Sequence, residues 1–526
     1  MAKTDSTEIN PLTETRVTDG VLLLDHYDEM ADMLKESFRR AGFAGPVLVI
    51  EDKGFLPPDV LSVFRWFCED HEGEGFDDIS ACSVAADYND KTARSGRAGH
   101  KDQTECGDIA HHNGIAACGD KADCKDKAAG GGKADCKDKA AGGGNAGWKQ
   151  GNPRYFNQIE LPDYWEISST NNGGEVHDLH HLRGRIFYAQ PTHRRLVSEV
   201  DWLDEKEVVR CTDHYDNHGI LYARTAFNRK GERFCRSWFD ASGHERVVEN
   251  YVTGDIIVSR RHKTYFYKNR TRLVIEMIRG LKAAGQRIFY NSLSTPLFVS
   301  ESFPSDNILF WQEGPRTDIP GNMQMILKGQ SHTRKIYVQN QDSFQKLLEL
   351  GASEKWIKPF GFVYPFVREN YHRPDILICT NSDQIEELEA LVTRLPQMVF
   401  HIAAITEMSA RLLAFGRYPN VRLYPVIKEK AADELFQNCD YYFDINHGGE
   451  ILSGVKRAFL NNQLILGFEN TIHRHRYIAR EHIYHDAADL CALAADPKQL
   501  PAALSLQRKA AMSEETDAYR SAIASG

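Results

Sequence analysis

The fold turns on Tyr441-Tyr442-Phe443-Asp444-Ile445-Asn446-His447-Gly448-Gly449-Glu450 and the run AFLNNQLILGFE at 458–469. An apolar run, a glycine-containing loop, a helical segment and a second apolar run follow one another there. That order is the strand–loop–helix–strand repeat of a parallel α/β layer. On either side the same alternation continues, with strands expected over 376–379, 398–403, 421–424, 440–444 and 464–467. An earlier series opens with a strand at 21–25, helical periodicity over 28–40 and a strand at 46–50. It resumes after residue 269 with strands over 287–290, 308–311 and 335–338. Two such lobes facing one another across a cleft place ligands at the carboxyl ends of their strands.

The text between the two parts of the first series has a different character. Residues 79–150 are rich in Gly, Ala, Lys and Asp and contain a tandem repeat, KADCKDKAAGGG at 121–132 and again at 133–144. Such a segment cannot bury enough apolar surface to offset its conformational entropy, so it is expected to be a disordered insertion. Residues 151–268 carry short alternating runs at 185–189, 196–202, 220–226 and 246–251. Turn signals at 217–219, 228–231 and 241–244 separate them, the pattern of an antiparallel meander. The expected division is a polar tail over 1–20 and a first Rossmann-like lobe over 21–78 and 269–370, interrupted by the insertion (79–150) and an extended β domain (151–268). A second Rossmann-like lobe with C-terminal helices follows over 371–526.

Composition limits the function classes. With 526 residues, 42% hydrophobic and 26% charged, the chain is of ordinary globular type and long enough for two or three domains. A net charge of -10 argues against a nucleic-acid binder, whose footprint is a basic face. No run approaches a membrane span, and the N-terminal stretch lacks an apolar core for secretion, so a cytoplasmic chain is expected. Six of the 11 cysteines (Cys68, Cys211, Cys235, Cys379, Cys439, Cys491) are scattered and read as reduced structural thiols. The other five, from Cys82 to Cys136, form no C-x-x-C pair, and with His111 and His112 they do not make a metal site.

The loop Asn446-His447-Gly448-Gly449 is expected to be a helix N-terminus facing the cleft, where it would contact a peptide or sugar, against the plainer reading of a strand-to-helix turn. Trp311, ending a strand before Gln312 and Glu313, either lines the cleft or anchors a core. Residues assigned to the cleft are thus Asn291, Trp311, Asn446, His447 and Gly448. His177, His180 and His181 are expected to be solvated. His473, His475, His482 and His485 take surface placement by default, with His482 and His485 close enough to share a helix face.

The 441–469 unit resembles the late strand–loop–helix–strand of GT-B glycosyltransferases, whose working retaining members read E-x-F-G-x-x-x-x-E. In those enzymes the first carboxylate faces the donor sugar and the second binds the ribose. Aligned on 464–468, this chain has Gly449 at the first position and Arg457 at the second, with Glu450 one position out of register. A guanidinium is donor-only and cannot accept from a diol. The Arg and Lys that neutralise the departing diphosphate are replaced by Thr380-Asn381-Ser382-Asp383-Gln384, so the electrostatic term that usually dominates catalysis is missing.

Longer blocks resemble one family, the glycosyltransferase-stabilising subunits (GtfB) of the accessory secretion system of Gram-positive bacteria. They include Gly54-Phe55-Leu56-Pro57, Tyr155-Phe156-Asn157-Gln158, Val200-Asp201-Trp202-Leu203-Asp204, Asn291-Ser292-Leu293, Ile308-Leu309-Phe310-Trp311-Gln312-Glu313 and Asp444-Ile445-Asn446-His447-Gly448-Gly449. The resemblance implies a GT-B-like α/β fold, two Rossmann-like lobes facing a cleft, with the antiparallel β-meander inserted in the first. It implies no catalytic residue, cofactor or metal in this chain, and a hetero-oligomer with a catalytic sister subunit that moves N-acetylglucosamine from UDP-sugar to serine-rich repeat adhesins before export. The subunit helps hold the serine-rich acceptor polypeptide, the β domain serves pairing, and the complex sits in the cytoplasm, with the inner face of the membrane as a peripheral site. Two alternatives stay open: an active transferase using Glu450, and a stand-alone polypeptide-binding chaperone or lectin.

Overall fold

The computed structural model describes residues 20–69, 151–260, 263–281 and 287–524. The tail, the 79–150 insertion, its five cysteines, His111 and His112 lie outside the described residues. Three sheets organise the rest.

The first sheet is parallel throughout. Its strand order is Ile357–Pro359, Thr333–Val338, Asn307–Trp311, Ile288–Tyr290, Val21–His26, Val47–Glu51, Val60–Ser62. Val21 to Leu24 are all buried, as a central parallel strand covered on both faces requires. Helix Glu29–Arg40 starts where Asp28 accepts a hydrogen bond from the Ala31 N–H at 2.9 Å. Its periodicity turns Ala31, Leu34 and Phe38 onto the sheet.

The second sheet is also parallel, in the order Val421–Tyr424, Val399–Ala404, Asp375–Thr380, Tyr441–Asp444, Leu464–Phe468, Ile483–Tyr484. One apolar cluster runs through both sheets' surroundings. Phe38, Phe289 and Phe310 of the first series belong to it together with Phe459 and Tyr477 of the second. Helix Thr516–Ala524 completes it from the far end of the chain, with Tyr519 against Phe38 and Phe360 at ring separations of 5.9 and 4.7 Å.

The third sheet is a ten-stranded antiparallel meander from Trp165–Ser169 to Lys263–Tyr267, each strand beside the next in sequence. It buries opposite faces at its two ends. Ile186 and Val200 share one face and are covered by Phe156, Ile159 and Leu161. That same row leads through Asp213 to Arg224, which is exposed. On the other face Thr225, Arg236 and Glu249 form a register row that is buried. There Trp238 stacks on Phe64 at 4.1 Å, and Arg270 joins Glu249 to Glu51 of the first sheet. Tyr222 Oη donates to the Asp52 carbonyl at 2.9 Å. Gly54, at φ +83°, lets the chains meet, since a Cβ there would lie 2.4 Å from the Tyr215 carbonyl.

Candidate functional site

Each parallel sheet reverses its strand order once, between Val21–His26 and Ile288–Tyr290 in the first and between Asp375–Thr380 and Tyr441–Asp444 in the second. Ligands of open α/β sheets bind in the crevice beyond the strand ends at such a reversal.

In the first crevice the side chain of Asn291 is occupied at both ends and 4% exposed. Its Oδ1 accepts from the Asp25 N–H at 2.9 Å and its Nδ2 donates to Gln312 Oε1 at 3.1 Å. Gln312 Nε2 donates to Gln339 Oε1 at 3.0 Å and to the Met30 carbonyl at 3.1 Å. Gln339 Nε2 continues to the Gly361 carbonyl (3.1 Å) and Tyr519 Oη (3.2 Å). A neutral amide relay thus runs across the ends of three strands. Trp311, 1% exposed, is a core anchor and not a cleft residue. At the rim His26, bonded to Asp25 and Asp28, is pushed up to about 10.

The second crevice is closed by Asn446, 2% exposed, whose Oδ1 accepts from Thr380 Oγ1 at 2.8 Å and from the Gly448 N–H at 3.0 Å. A Cβ at Gly448 would collide with Asn381 Oδ1, so a larger residue there would have to displace that side chain. Buried Asp444 binds His473 twice, by the His473 N–H at 2.8 Å and Nδ1 at 2.6 Å. The other ring nitrogen, Nε2, lies 2.7 Å from the Gly448 carbonyl. With acceptors at both nitrogens the imidazolium is favoured, and the Asp444 hydrogen bond raises His473 to about 9. Of the five residues assigned to the cleft, only His447 presents a side chain toward solvent, and it is held 2.5 Å from Glu386.

The expectation of a helix N-terminus at 446–449 needs correction. Helix Gly454–Leu460 begins later, after Leu452 and Ser453 in left-handed conformation (φ 56° and 49°). Its first turn is occupied by the chain itself, because Glu450 Oε1 accepts from the Val455 N–H at 3.1 Å. Glu450 Oε2 takes Arg474 Nε at 2.5 Å, and the same guanidinium reaches Glu29 at 2.8 Å. Lys456 (3.0 Å) and Tyr477 Oη (3.1 Å) also meet Glu29. Arg457 turns away, paired with Asp433 and lying 4.1 Å over the Phe436 ring. The 380–384 turn carries no cation, as its sequence states.

Surface placement fails for two histidines. His482 lies in a short turn, 2% exposed, and burial lowers it to about 4, while His473 is half-buried as the partner of buried Asp444. His485 is exposed beside Glu469, so the two do not share a helix face. Composition gave no warning of either; the signal was position, since both follow the strand Leu464–Phe468 and cross back toward the core. Among the described residues no three His, Cys, Asp or Glu side chains are grouped to hold a metal ion. An open cleft of about 680 Å³, lined by Gln339, Asn340, His475, Arg476 and Lys509, is spanned by the Asp342–Arg480 pair at 2.8 Å.

Comparison with known proteins matches this framework segment by segment. Family models described as the GtfB N-terminal, middle and third domains match residues 21–67, 165–268 and 270–350, and the GftB/GlyA-F C-terminal domain matches 376–508. The stabilizing protein GtfB of a UDP-N-acetylglucosamine–peptide N-acetylglucosaminyltransferase from Streptococcus agalactiae is 44% identical over 64% of this chain and 77% of its own length. The protein of the same name from Streptococcus gordonii is 35% identical over 88% of each chain. A solved chain of a GtfA/B complex bound to UDP and GlcNAc superposes with a TM-score of 0.75 at 33% identity, covering 96% of this chain and 99% of that one. The Gap123 glycosylation-associated complex of Streptococcus agalactiae shares the fold at 10% identity, with a TM-score of 0.52 over 96% of this chain and 99% of that one. This chain belongs to the GtfB family of stabilizing proteins of UDP-N-acetylglucosamine–peptide N-acetylglucosaminyltransferases.

Proposed function

We propose that this chain is a non-catalytic, stabilising co-subunit of a cytoplasmic glycosyltransferase complex that attaches N-acetylglucosamine to serine-rich repeat adhesins before their export through the accessory secretion system. The two parallel sheets are the two lobes of a GT-B-like body facing a cleft, and the meander is the domain inserted in the first. The single observation that carries the reading is the engagement of Glu450. The carboxylate one position out of register with the donor-side motif is held by Arg474 and by the Val455 N–H, and Arg474 is held in turn by Glu29. With one oxygen on a backbone N–H and the other on a guanidinium, the carboxylate is fixed to its own chain, and turning it toward a donor sugar would break a charge-assisted pair. Arg457, at the second motif position, is donor-only and directed at Asp433. Both reversal points are stitched by the protein's own amides and hydroxyls, which leaves the sugar-nucleotide chemistry to a catalytic sister subunit. His447 is the side chain available at the second crevice for contact with the serine-rich acceptor polypeptide. No described helix is long and apolar enough to cross a membrane, and residence on the inner membrane face would be peripheral.

Calorimetric titration of UDP-GlcNAc tests this. The chain alone is expected to give no saturable heat, and the mixture with its catalytic partner to give binding and transfer to a serine-rich peptide. Saturable binding and turnover by the chain alone would restore the active-transferase alternative.

A further inference from the structure

The two α/β halves meet at one carboxylate. Glu29 stands in the first turn of helix Glu29–Arg40, shortly after strand Val21–His26. Its partners all come from the other half, 445 residues away in the case of Arg474. Arg474 donates through Nη1 to both carboxylate oxygens, at 3.1 and 2.8 Å. Lys456 Nζ, on helix Gly454–Leu460, lies 3.0 Å from Oε1, and Tyr477 Oη donates to the same oxygen at 3.1 Å. Among the described residues the Glu29 carboxylate bonds to no side chain of its own half. The receiving set is fixed on its own side. Glu450 Oε2 holds Arg474 Nε at 2.5 Å, which leaves Nη1 directed at Glu29. Tyr477, 2% exposed, packs on the Phe459 ring at 5.0 Å and touches Met33 Sδ of the first half at 3.6 Å.

Burial pushes the Glu29 carboxyl up, but hydrogen bonding and charge from Lys456, with the Arg474 charge, outweigh it. The group is held below the usual carboxylate range and stays ionised. Position then decides which contact matters. Asp342, in the first turn of helix Gln341–Glu349, also reaches the second half, but its pair with Arg480 is 60% and 83% exposed and spans the open cleft. Pairs that exposed hold little. Glu29 instead lies against the aromatic cluster that both halves share, since Tyr477 belongs to the cluster and also donates to the carboxylate. Parting of the halves there would uncover buried ring surface and break all three donor contacts together. We infer that Glu29 is a clasp: seated in the Arg474–Lys456–Tyr477 set, it holds the two α/β halves as one closed body, and they part there only when the carboxylate is released. Salt is one means of release, because the Glu29 side chain is 41% exposed and its charge is open to screening. A body held closed in this way presents its surface to a partner without an ordering cost.

Hydrogen-exchange mass spectrometry on the full-length chain tests the clasp, each variant being read in the half it does not alter. Glu29→Gln is expected to raise exchange over residues 470–484 about fivefold, the scale of one ion-pair network. Arg474→Gln is expected to do the same over helix Glu29–Arg40. Asp433→Asn breaks the pair with Arg457 inside the second half, and Asp342→Asn breaks the exposed pair with Arg480. Each of these should change exchange by less than about twofold. In the unsubstituted chain, raising NaCl from about 0.05 to about 0.5 M should increase exchange in both segments together, and Glu29→Gln should not respond. A rise confined to the half that carries the substitution means local fraying and overturns the clasp. A flat salt response of the unsubstituted chain overturns it too, and needs no variant to fold. A larger rise for Asp342→Asn than for Glu29→Gln would move the clasp to the exposed pair and equally overturn the assignment.

Discussion

The two strand-order reversals solve the same problem with different chemistry. The first is filled by uncharged groups, Asn291, Gln312, Gln339 and Tyr519, each donating to the next. The second is filled by charged ones, Asp444 with His473 inside and Glu450, Arg474 and Glu29 at its rim. A neutral relay is indifferent to pH and salt, whereas an ionic one is strong only while both partners keep their charge. The difference teaches that filling a ligand crevice does not require one kind of residue: in the first the ionic groups, His26 with Asp25 and Asp28, stay at the rim, whereas in the second an ionic pair lies inside.

Four measurements test that contrast. Asp444→Ala leaves a half-buried imidazolium without its buried counter-charge and should cost about 3 kcal/mol in urea unfolding, the largest loss of the set. Gln339→Leu removes a fully buried amide and strands its partners Gln312, Gly361 and Tyr519. About 2 kcal/mol is expected, equal in low and high salt; a loss that salt changes would mean the relay is not neutral. For the rim pairs, Arg474→Met should cost about 1 kcal/mol at low salt and less at 0.5 M NaCl. The fourth measurement is a pH slope. His473 is raised from its ordinary value to about 9 in the fold, so the stability it contributes is fully present below about pH 6.5 and is lost as pH climbs through 9. Unfolding midpoints between pH 7 and 10 should fall for the native chain and fall less for His473→Gln; equal slopes would remove His473 from the ionic set.

Much of the framework could be read from residue order. The apolar runs near 21–25, 308–311, 421–424 and 464–467 became strands because each is short, β-branched or leucine-rich and bounded by turn residues. Strand Val209–Tyr215 escaped the pattern, since Asp213 and His214 are interior residues there, satisfied by Trp202, Arg224, Glu199 and Thr225. Alternation scores polar residues as outward-facing, and a cross-strand partner reverses that. The site was harder. Asn291 and Asn446 look like contact residues in sequence because amides suit ligands, and the same amides suit a closed hydrogen-bond network. Whether an amide is free depends on a partner far along the chain, as Gln339 and Tyr519 show, and spacing carries no such information. His482 likewise reads as a surface residue until the turn carrying it is seen to pack inward.

Helix Thr516–Ala524 has a consequence for synthesis. Tyr519, Ala522 and Ile523 close the same cluster that Leu22, Phe38 and Phe310 open. A ribosome delivers those early residues long before the late ones, at about 5–20 residues per second. The nascent first sheet must therefore wait with an aromatic face uncovered for tens of seconds. A protein whose role is to keep another subunit folded thus begins as a client, dependent on whatever shields that face until its own last helix arrives.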